Sequence, residues 1–295
     1  MASYLELDSE AAKSLPQLPM VSVFKTCFFS SRSLLFSPLS AVMAASKMPK
    51  LGRLVLNLHD HGTGDSSLGL RLRNGKRCQL PSLRTTARPH ADKEQYIAEL
   101  ANNITQLPHS INTFTLTYRL EIPENQLSEI QNIAAEECAD SLSQALFSYS
   151  LRPDMTHFYV EACVERAVFW PDQDPDDADL PCWPSMERFN IMISPCSPRG
   201  KWFTDIDPRI SEVDGKERYY IAAAKCMRQM PCVTDFSVSG VRFRFWSEGR
   251  SLVSLFDAPT PRPGPQVIQE WKRTAEKKGV KFCMRLKGTE ETRIE

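Results

Sequence analysis

The chain has 295 residues, with 36 lysine and arginine residues against 36 aspartate and glutamate residues, so its formal net charge is zero. A neutral chain lacks the general electrostatic attraction that nucleic-acid and anionic-membrane binding depend on, and we expect neither as a partner. With 42% apolar residues, the chain is long enough to form a hydrophobic core without metal or disulfide support.

The cysteines and the early segments of the chain favour an intracellular protein. Nine cysteines are scattered without a Cys-x-x-Cys pair, so neither a zinc site nor a redox motif is predicted. The first residues are acidic, unlike those of a secretory signal peptide. The apolar stretch over residues 21–45 is broken by Lys25, Arg32 and Pro38, so no membrane span is predicted. We therefore expect a reduced protein in the cytoplasm or nucleus.

A proline-led pattern recurs along the chain. An apolar residue precedes proline in every copy except one, where the residue is Arg152. The prolines that mark the copies are Pro19, Pro49, Pro81, Pro108, Pro153, Pro184 and Pro231. In four complete copies, apolar residues follow the proline two, five and seven places later. The Pro19 copy lacks the third apolar residue, and the Pro108 copy has one inserted residue. The Pro81 copy matches the pattern poorly. The last two apolar positions alternate as in a short strand, and the first lies on the turn before it.

Helices are predicted before most of these strands. The helical segments are 40–48, 93–107, 134–151 and 217–230. In the last of them, Tyr220, Ala223, Ala224 and Met227 recur at helical spacing and are expected to face the core. A proline after each helix ends it and favours an extended residue before the proline.

Units of helix, proline and strand that recur about every 30 residues bury their apolar faces only by stacking on one another. We therefore predict an α/β fold, an irregular leucine-rich-repeat-like solenoid with parallel strands on its concave face and helices on its convex face. The alternative is that the spacing arises by chance in an apolar-rich chain. Standard repeats place Asn or Cys three residues after the last apolar position. Of His59, Cys163, Ser194 and Val241, which occupy that place, only Cys163 conforms.

The sequence of the carboxy-terminal part predicts a separate capping unit. Residues 241–246 and 251–256 alternate as a hairpin, a helix begins at Gly264 and Pro265 and ends at Gly279, and 281–286 form a last strand. The predicted organisation is a solenoid over residues 1–240, with poorly ordered loops near 60–92 and 171–182, and a cap over 241–295.

A sequence resemblance agrees with this organisation. The matching residues are Trp183, Pro184, Ser197, Pro198, Gly200, Trp202, Tyr220, Ala222, Ala223, Met230 and Pro231. Over residues 40 to 287 the chain resembles a family of uncharacterised fungal F-box and leucine-rich-repeat-like proteins. The resemblance implies a substrate-receptor-like role. An F-box recruits a ubiquitin-ligase scaffold through an amino-terminal helical segment that is not visible in this chain, so that partner is expected only if such a segment is missing from it.

Three polar segments are candidate sites. His59, Asp60, His61 and Asp65 could approach a metal ion, but two histidines do not close a site. The acidic run over 172–179 lacks the glycine and glutamate of a calcium loop, and the basic tract over 71–88 is expected to be a mobile loop. Since the chain contains none of the common nucleophile, zinc or phosphate motifs, we expect neither catalysis nor a cofactor.

Residues between the apolar positions of each strand are expected to form a polar ladder on the solvent-facing side of the sheet. The candidate partner-binding residues are His157, Tyr159, Glu161, Arg188, Asn190 and Asp235. The remaining ladder positions are Arg53, Val55, Asn57, Thr113, Thr115, Thr117, Met192, Ser237 and Ser239. A polar face with a tyrosine and an arginine is typical of protein recognition, so a non-catalytic protein-recognition module is the leading hypothesis. The alternatives are a metal-dependent or hydrolytic enzyme using His59 and His61, and a truncated or degenerate gene product.

Overall fold

The computed structural model describes residues 4–5, 14–26, 35–36, 38–60, 90–120, 140–176, 179–203, 215–238, 241–245, 251–256 and 263–286. Its strands are β1 (Tyr4–Leu5), β2 (Val23–Lys25), β3 (Leu35–Phe36), β4 (Arg53–Asp60), β5 (Thr113–Leu120), β6 (His157–Ala162), β7 (Arg188–Ile193), β8 (Asp235–Val238), β9 (Val241–Phe245), β10 (Ser251–Phe256) and β11 (Lys281–Leu286). Its helices are α1 (Pro38–Ala45), α2 (His90–Thr105), α3 (Ser141–Ser150), α4 (Gly215–Arg228) and α5 (Pro265–Lys278), with a 3-10 turn at Arg166–Val168.

The fold is α/β, and one mixed sheet organises it. Strands β2, β4, β5, β6, β7 and β8 lie side by side in sequence order, each parallel to its neighbour. The sheet continues through β9, which is antiparallel to both β8 and β10, and ends with β11 parallel to β10. Strands β1 and β3 form a separate two-stranded parallel sheet. The predicted boundary at residue 240 therefore falls between two neighbouring strands of one sheet.

Proline turns lead into the parallel strands. The amide of Leu51 donates to the carbonyl of Met48 at 3.0 Å, and that of Met155 donates to Arg152 at 3.0 Å, so each turn closes around the proline. Proline suits the second position of such a turn because its ring fixes φ near the required value. The proline-led motif thus predicts a real local structure at the start of the strand.

A repeated hydrogen-bond pair sets the register between neighbouring units. The Asn112 carbonyl accepts from the amides of Thr156 and His157 at 2.9 and 3.1 Å. The Thr156 carbonyl in turn accepts from Glu187 and Arg188 at 2.9 and 3.0 Å. Each unit thus presents one carbonyl to two consecutive amides of the next unit. As a result, the first residues of neighbouring strands are in register.

A row of stacked phenylalanines forms the centre of the core. The rings of Phe114, Phe158, Phe189 and Phe236 follow one another across four strands, with successive centroids 5.4 Å apart and interplanar angles of 13–21°. All four are buried, and they share one core with the inward side chains of the helices. These residues occupy the second apolar position of the proline-led motif, which correctly predicts the buried face of the sheet.

Most helix predictions are confirmed with shifted ends. Helix α3 begins at Ser141 because Asp140 caps it, its carboxylate accepting from the amide of Leu142 at 3.1 Å. The predicted start at residue 134 lies outside the described residues, as does the Pro81 copy of the motif. The capping-unit helix is confirmed, since α5 begins at Pro265 and Gly279 follows it with a left-handed φ of 63°.

Two loops were predicted to be poorly ordered. Residues 61–89 of the first loop lie outside the described residues. In the second, Asp172 pairs with Arg166 at 3.1 Å, and Asp174 accepts from the Trp170 indole at 2.9 Å and pairs with Lys225 at 2.6 Å. The acidic run is therefore anchored to the 3-10 turn and to helix α4, although Asp174 stays mostly exposed to solvent.

Candidate functional site

The six candidate residues lie together on three adjacent strands. His157, Arg188 and Asp235 are register partners across β6, β7 and β8, and Tyr159 is paired with Asn190 in the next row of the same face. Glu161 follows on β6. Adjacent strands are separated by about 4.8 Å, so these residues form one continuous surface. We call these six residues the polar patch.

Strand alternation places the polar patch opposite the core. On β6, Phe158 and Val160 are buried, whereas His157, Tyr159 and Glu161 are half-exposed. The patterns on β7 and β8 alternate in the same way. Side chains at odd and even positions of a strand point to opposite faces, so the buried phenylalanine row fixes which face carries the polar residues.

Hydrogen bonds connect neighbouring residues of the polar patch. The hydroxyl of Ser237 donates to the side-chain oxygen of Asn190 at 2.6 Å, and the Asn190 amide nitrogen lies 3.5 Å from a carboxylate oxygen of Asp235. The Tyr159 hydroxyl donates to Glu161 at 3.3 Å. The contacts of Asn190 cross from β7 to β8, and that of Tyr159 stays within β6. They orient the side chains, which lowers the entropy that a partner has to remove on binding.

Among strands β6, β7 and β8, the exposed side chains of this face lie on β7. Arg188 is exposed, and Met192 is 47% exposed beside its register partner Glu161. By contrast, Val55 and Thr117 are only 8% and 9% exposed, so the prediction that every ladder position faces solvent is wrong there. Both are short side chains flanked by register partners on either side, which shield them. Met192 belongs to the predicted ladder but not to the six candidate residues, and its exposure makes it an apolar contact point beside the polar patch.

A second polar cluster lies beyond the end of β6, and no motif in the sequence predicts it. Asp140 accepts hydrogen bonds from the hydroxyl of Ser143 and, at 3.2 Å, from the amide of Glu165. Burial raises the pKa of Asp140, although the hydrogen bonds from Ser143, Glu165 and Leu142 oppose this effect. The cluster caps helix α3 and ties it to the 3-10 turn, so its role is structural.

The metal alternative rests on residues that are largely outside the described structure. His61 and Asp65 lie outside it, and the side chains of His59 and Asp60 at the end of β4 are not described. Among the side chains that are described, no three His, Cys, Asp or Glu residues are grouped so that they could hold a metal ion. In the same part of the chain, no helix has the length and apolar character needed to cross a bilayer.

Several residues on which the sequence resemblance depends have a structural role. The Trp183 indole is buried and donates to the hydroxyl of Ser150 at 2.8 Å. Gly200 adopts a φ of 74°, and Ala223 and Met230 are fully buried. These contacts account for the residue types at those positions through packing and turn geometry.

Comparison with protein-family models, with curated proteins and with solved structures finds no match to this chain. The functional argument therefore depends on the geometry of the sheet and on the chemistry of the polar patch.

Proposed function

We propose that this protein is a non-catalytic protein-recognition module and that the polar patch binds its partner. The observation that carries the proposal is the two-sidedness of the parallel sheet. One face is a closed aromatic core, while the opposite face of β6, β7 and β8 presents an organised row of donors and acceptors to solvent. An open row of side chains that spans three strands suits a protein partner better than a small molecule, which usually binds in an enclosed pocket.

The composition of the polar patch supports a protein partner. Tyr159 and Arg188 belong to the residue types that most often dominate binding energy at protein interfaces. Asn190 and Asp235 add hydrogen-bonding groups that are already oriented, and Met192 adds an exposed apolar side chain. We therefore place Tyr159 and Arg188 at the centre of the interface.

The same proposal includes a leucine-rich-repeat-like solenoid, with the polar patch on its concave face. Its support is the succession of six parallel strands in chain order, a proline turn before each unit and the shared register of the phenylalanine row. In solenoids of this class the strands line an extended binding surface. A role as a substrate receptor of a ubiquitin ligase is a narrower version, and only the sequence resemblance supports it.

The test compares partners captured by the full chain and by a double variant, Tyr159→Ala with Arg188→Ala. Affinity purification from cells with quantitative mass spectrometry identifies proteins enriched by the unmodified chain. We expect at least one such protein to lose tenfold or more of its enrichment with the double variant, because two central contacts of about 2 kcal/mol each are removed. The interaction is then repeated with purified components.

Arg218→Ala provides the matched control. Arg218 is exposed on helix α4, outside the sheet, so its removal changes the charge by the same amount as removal of Arg188. The control is expected to retain the partner. If the double variant and the control capture the same proteins equally well, the polar patch is not the binding surface.

A further inference from the structure

Two cysteines that are distant in sequence lie together where β6 and β7 end. Cys163 directly follows β6, and Cys196 lies in the turn after β7. The two strands run parallel and remain joined at this end, since the amide of Ser194 donates to the carbonyl of Ala162 at 3.2 Å. Both cysteines are buried, at 3% and 1% exposure.

The Cys163 thiol contacts residue Cys196 directly. It donates a hydrogen bond to the backbone carbonyl oxygen of Cys196, with 3.2 Å between sulfur and oxygen. The interaction between the two side chains lowers the pKa of Cys196, and together with burial it raises the pKa of Cys163. Cys196 is therefore the sulfur that ionises more readily, and the thiolate is the reactive form of cysteine.

The surroundings hold the two backbone segments in place. Cys196 forms a backbone bridge with Trp202, and within the turn Ser197 donates to Lys201 at 2.8 Å. On the other side, the amide of Glu165 donates to the hydroxyl of Ser143 at 2.8 Å, which fixes the segment that begins at Cys163. The two cysteines are thus held next to each other on fixed backbone segments, and a disulfide requires such proximity of two cysteines.

We propose that Cys163 and Cys196 form a reversible disulfide when the protein is exposed to hydrogen peroxide. The Cys196 thiolate attacks one peroxide oxygen, the O–O bond breaks, and a sulfenic acid forms with release of one water after protonation. The Cys163 sulfur then attacks the Cys196 sulfur, the S–S bond forms, and the second water leaves. Two thiols lose two electrons and two protons, and a small dithiol restores them.

A small neutral oxidant suits the location of this pair. Cys196 itself is buried, whereas Pro195 and Arg199 in the same turn are exposed to solvent. The disulfide would link the ends of two neighbouring strand units. It uses none of the polar patch residues, so this proposal stands or falls independently of the proposed function.

Peptide mapping of the full-length protein tests the proposal. Exposed thiols such as Cys182 and Cys232 are first alkylated under native conditions, and the protein is then treated with hydrogen peroxide. After denaturation, remaining thiols are blocked and the chain is digested without reductant. We expect a linked peptide pair containing Cys163 and Cys196, lighter by two hydrogen atoms than the separate peptides and lost after dithiothreitol treatment. Cys226, which is buried elsewhere in the core, is expected to remain a thiol.

Single variants test the order of the two steps. In Cys163→Ser, Cys196 is expected to stop at the sulfenic acid and to be trapped by dimedone, whereas in Cys196→Ser the thiol of Cys163 is expected to stay reduced. Far-UV circular dichroism reports whether each variant folds. If a variant does not fold, the peptide mapping of the unmodified chain alone tests the disulfide. Absence of the linked peptides from the oxidised unmodified chain, with Cys163 recovered as a thiol, would overturn the proposal.

Discussion

The guanidinium group of Arg152 donates to the carbonyl oxygen of Pro108 at 2.8 Å, across the boundary between two consecutive repeat units. The same side chain reaches the carbonyl oxygens of Leu107, at 2.8 Å, and Thr105, at 3.4 Å, at the end of helix α2. Its charged group also lies 4.0 Å from the ring centre of Tyr149. Arg152 is the one residue before a motif proline that is not apolar. Its side chain instead caps the end of helix α2.

Replacement of Arg152 by alanine is expected to lower the free energy of unfolding by about 1–2 kcal/mol. The variant loses charge-assisted hydrogen bonds to the carbonyl groups of Leu107 and Pro108, which follow the end of helix α2. Urea unfolding followed by circular dichroism measures the change. Arg218→Ala, which removes an exposed arginine, is expected to stay within about 0.5 kcal/mol of the unmodified chain. Equal effects of the two substitutions would contradict the capping role.

The phenylalanine row is expected to be the most sensitive part of the sheet. Phe189→Ala removes the ring that stacks between Phe158 and Phe236, and we expect a loss of about 3–5 kcal/mol in the free energy of unfolding. Phe189→Leu keeps most of the volume and should cost markedly less. Urea unfolding of both variants tests the prediction, and a Phe189→Ala protein as stable as the unmodified chain would show that the row is not the core.

The strands and their buried face could be predicted from sequence because both signals are local. Proline fixes the turn, and alternation over a few residues identifies the side that is buried, as at Phe158 and Phe189. The contact of Cys163 with Cys196 joins residues 33 apart, and that of Glu165 with Asp140 joins residues 25 apart. Such pairs depend on which strand ends meet after a crossover, and no spacing in the sequence reports that.

Asp140 is expected to make stability depend on pH. Burial raises its pKa above the ordinary value of 3.8. The folded protein therefore keeps this proton at pH values where the unfolded chain has lost it, and the contribution of this group to stability falls as the pH rises from 3.8 to the raised pKa. Above that pKa the contribution no longer changes.

Asp140→Asn removes the ionisable group and isolates this effect. We expect the free energy of unfolding of the variant, relative to that of the unmodified chain, to increase as the pH rises from 3.8 to the raised pKa, since only the unmodified chain incurs the cost of ionising a buried carboxyl. Urea unfolding at several pH values gives this difference, in which other titrating groups cancel. A difference that is constant or falls with pH would contradict the raised pKa.

The substitutions in the polar patch are expected to leave folding intact. Tyr159 and Arg188 lie on the solvent side of the sheet, so the double alanine variant should unfold within about 1 kcal/mol of the unmodified chain. Thermal and urea unfolding measure this. If the double variant unfolds as readily as Phe189→Ala, these side chains belong to the core and the face assignment is wrong.

Chemical labelling of histidine tests the proposed interface most directly. His157 is half-exposed in the polar patch, and His109 is exposed on a turn, so diethylpyrocarbonate can modify both in the free protein. With the captured partner added in excess, we expect modification of His157 to fall severalfold while that of His109 stays unchanged. Equal modification of His157 with and without the bound partner would contradict the account.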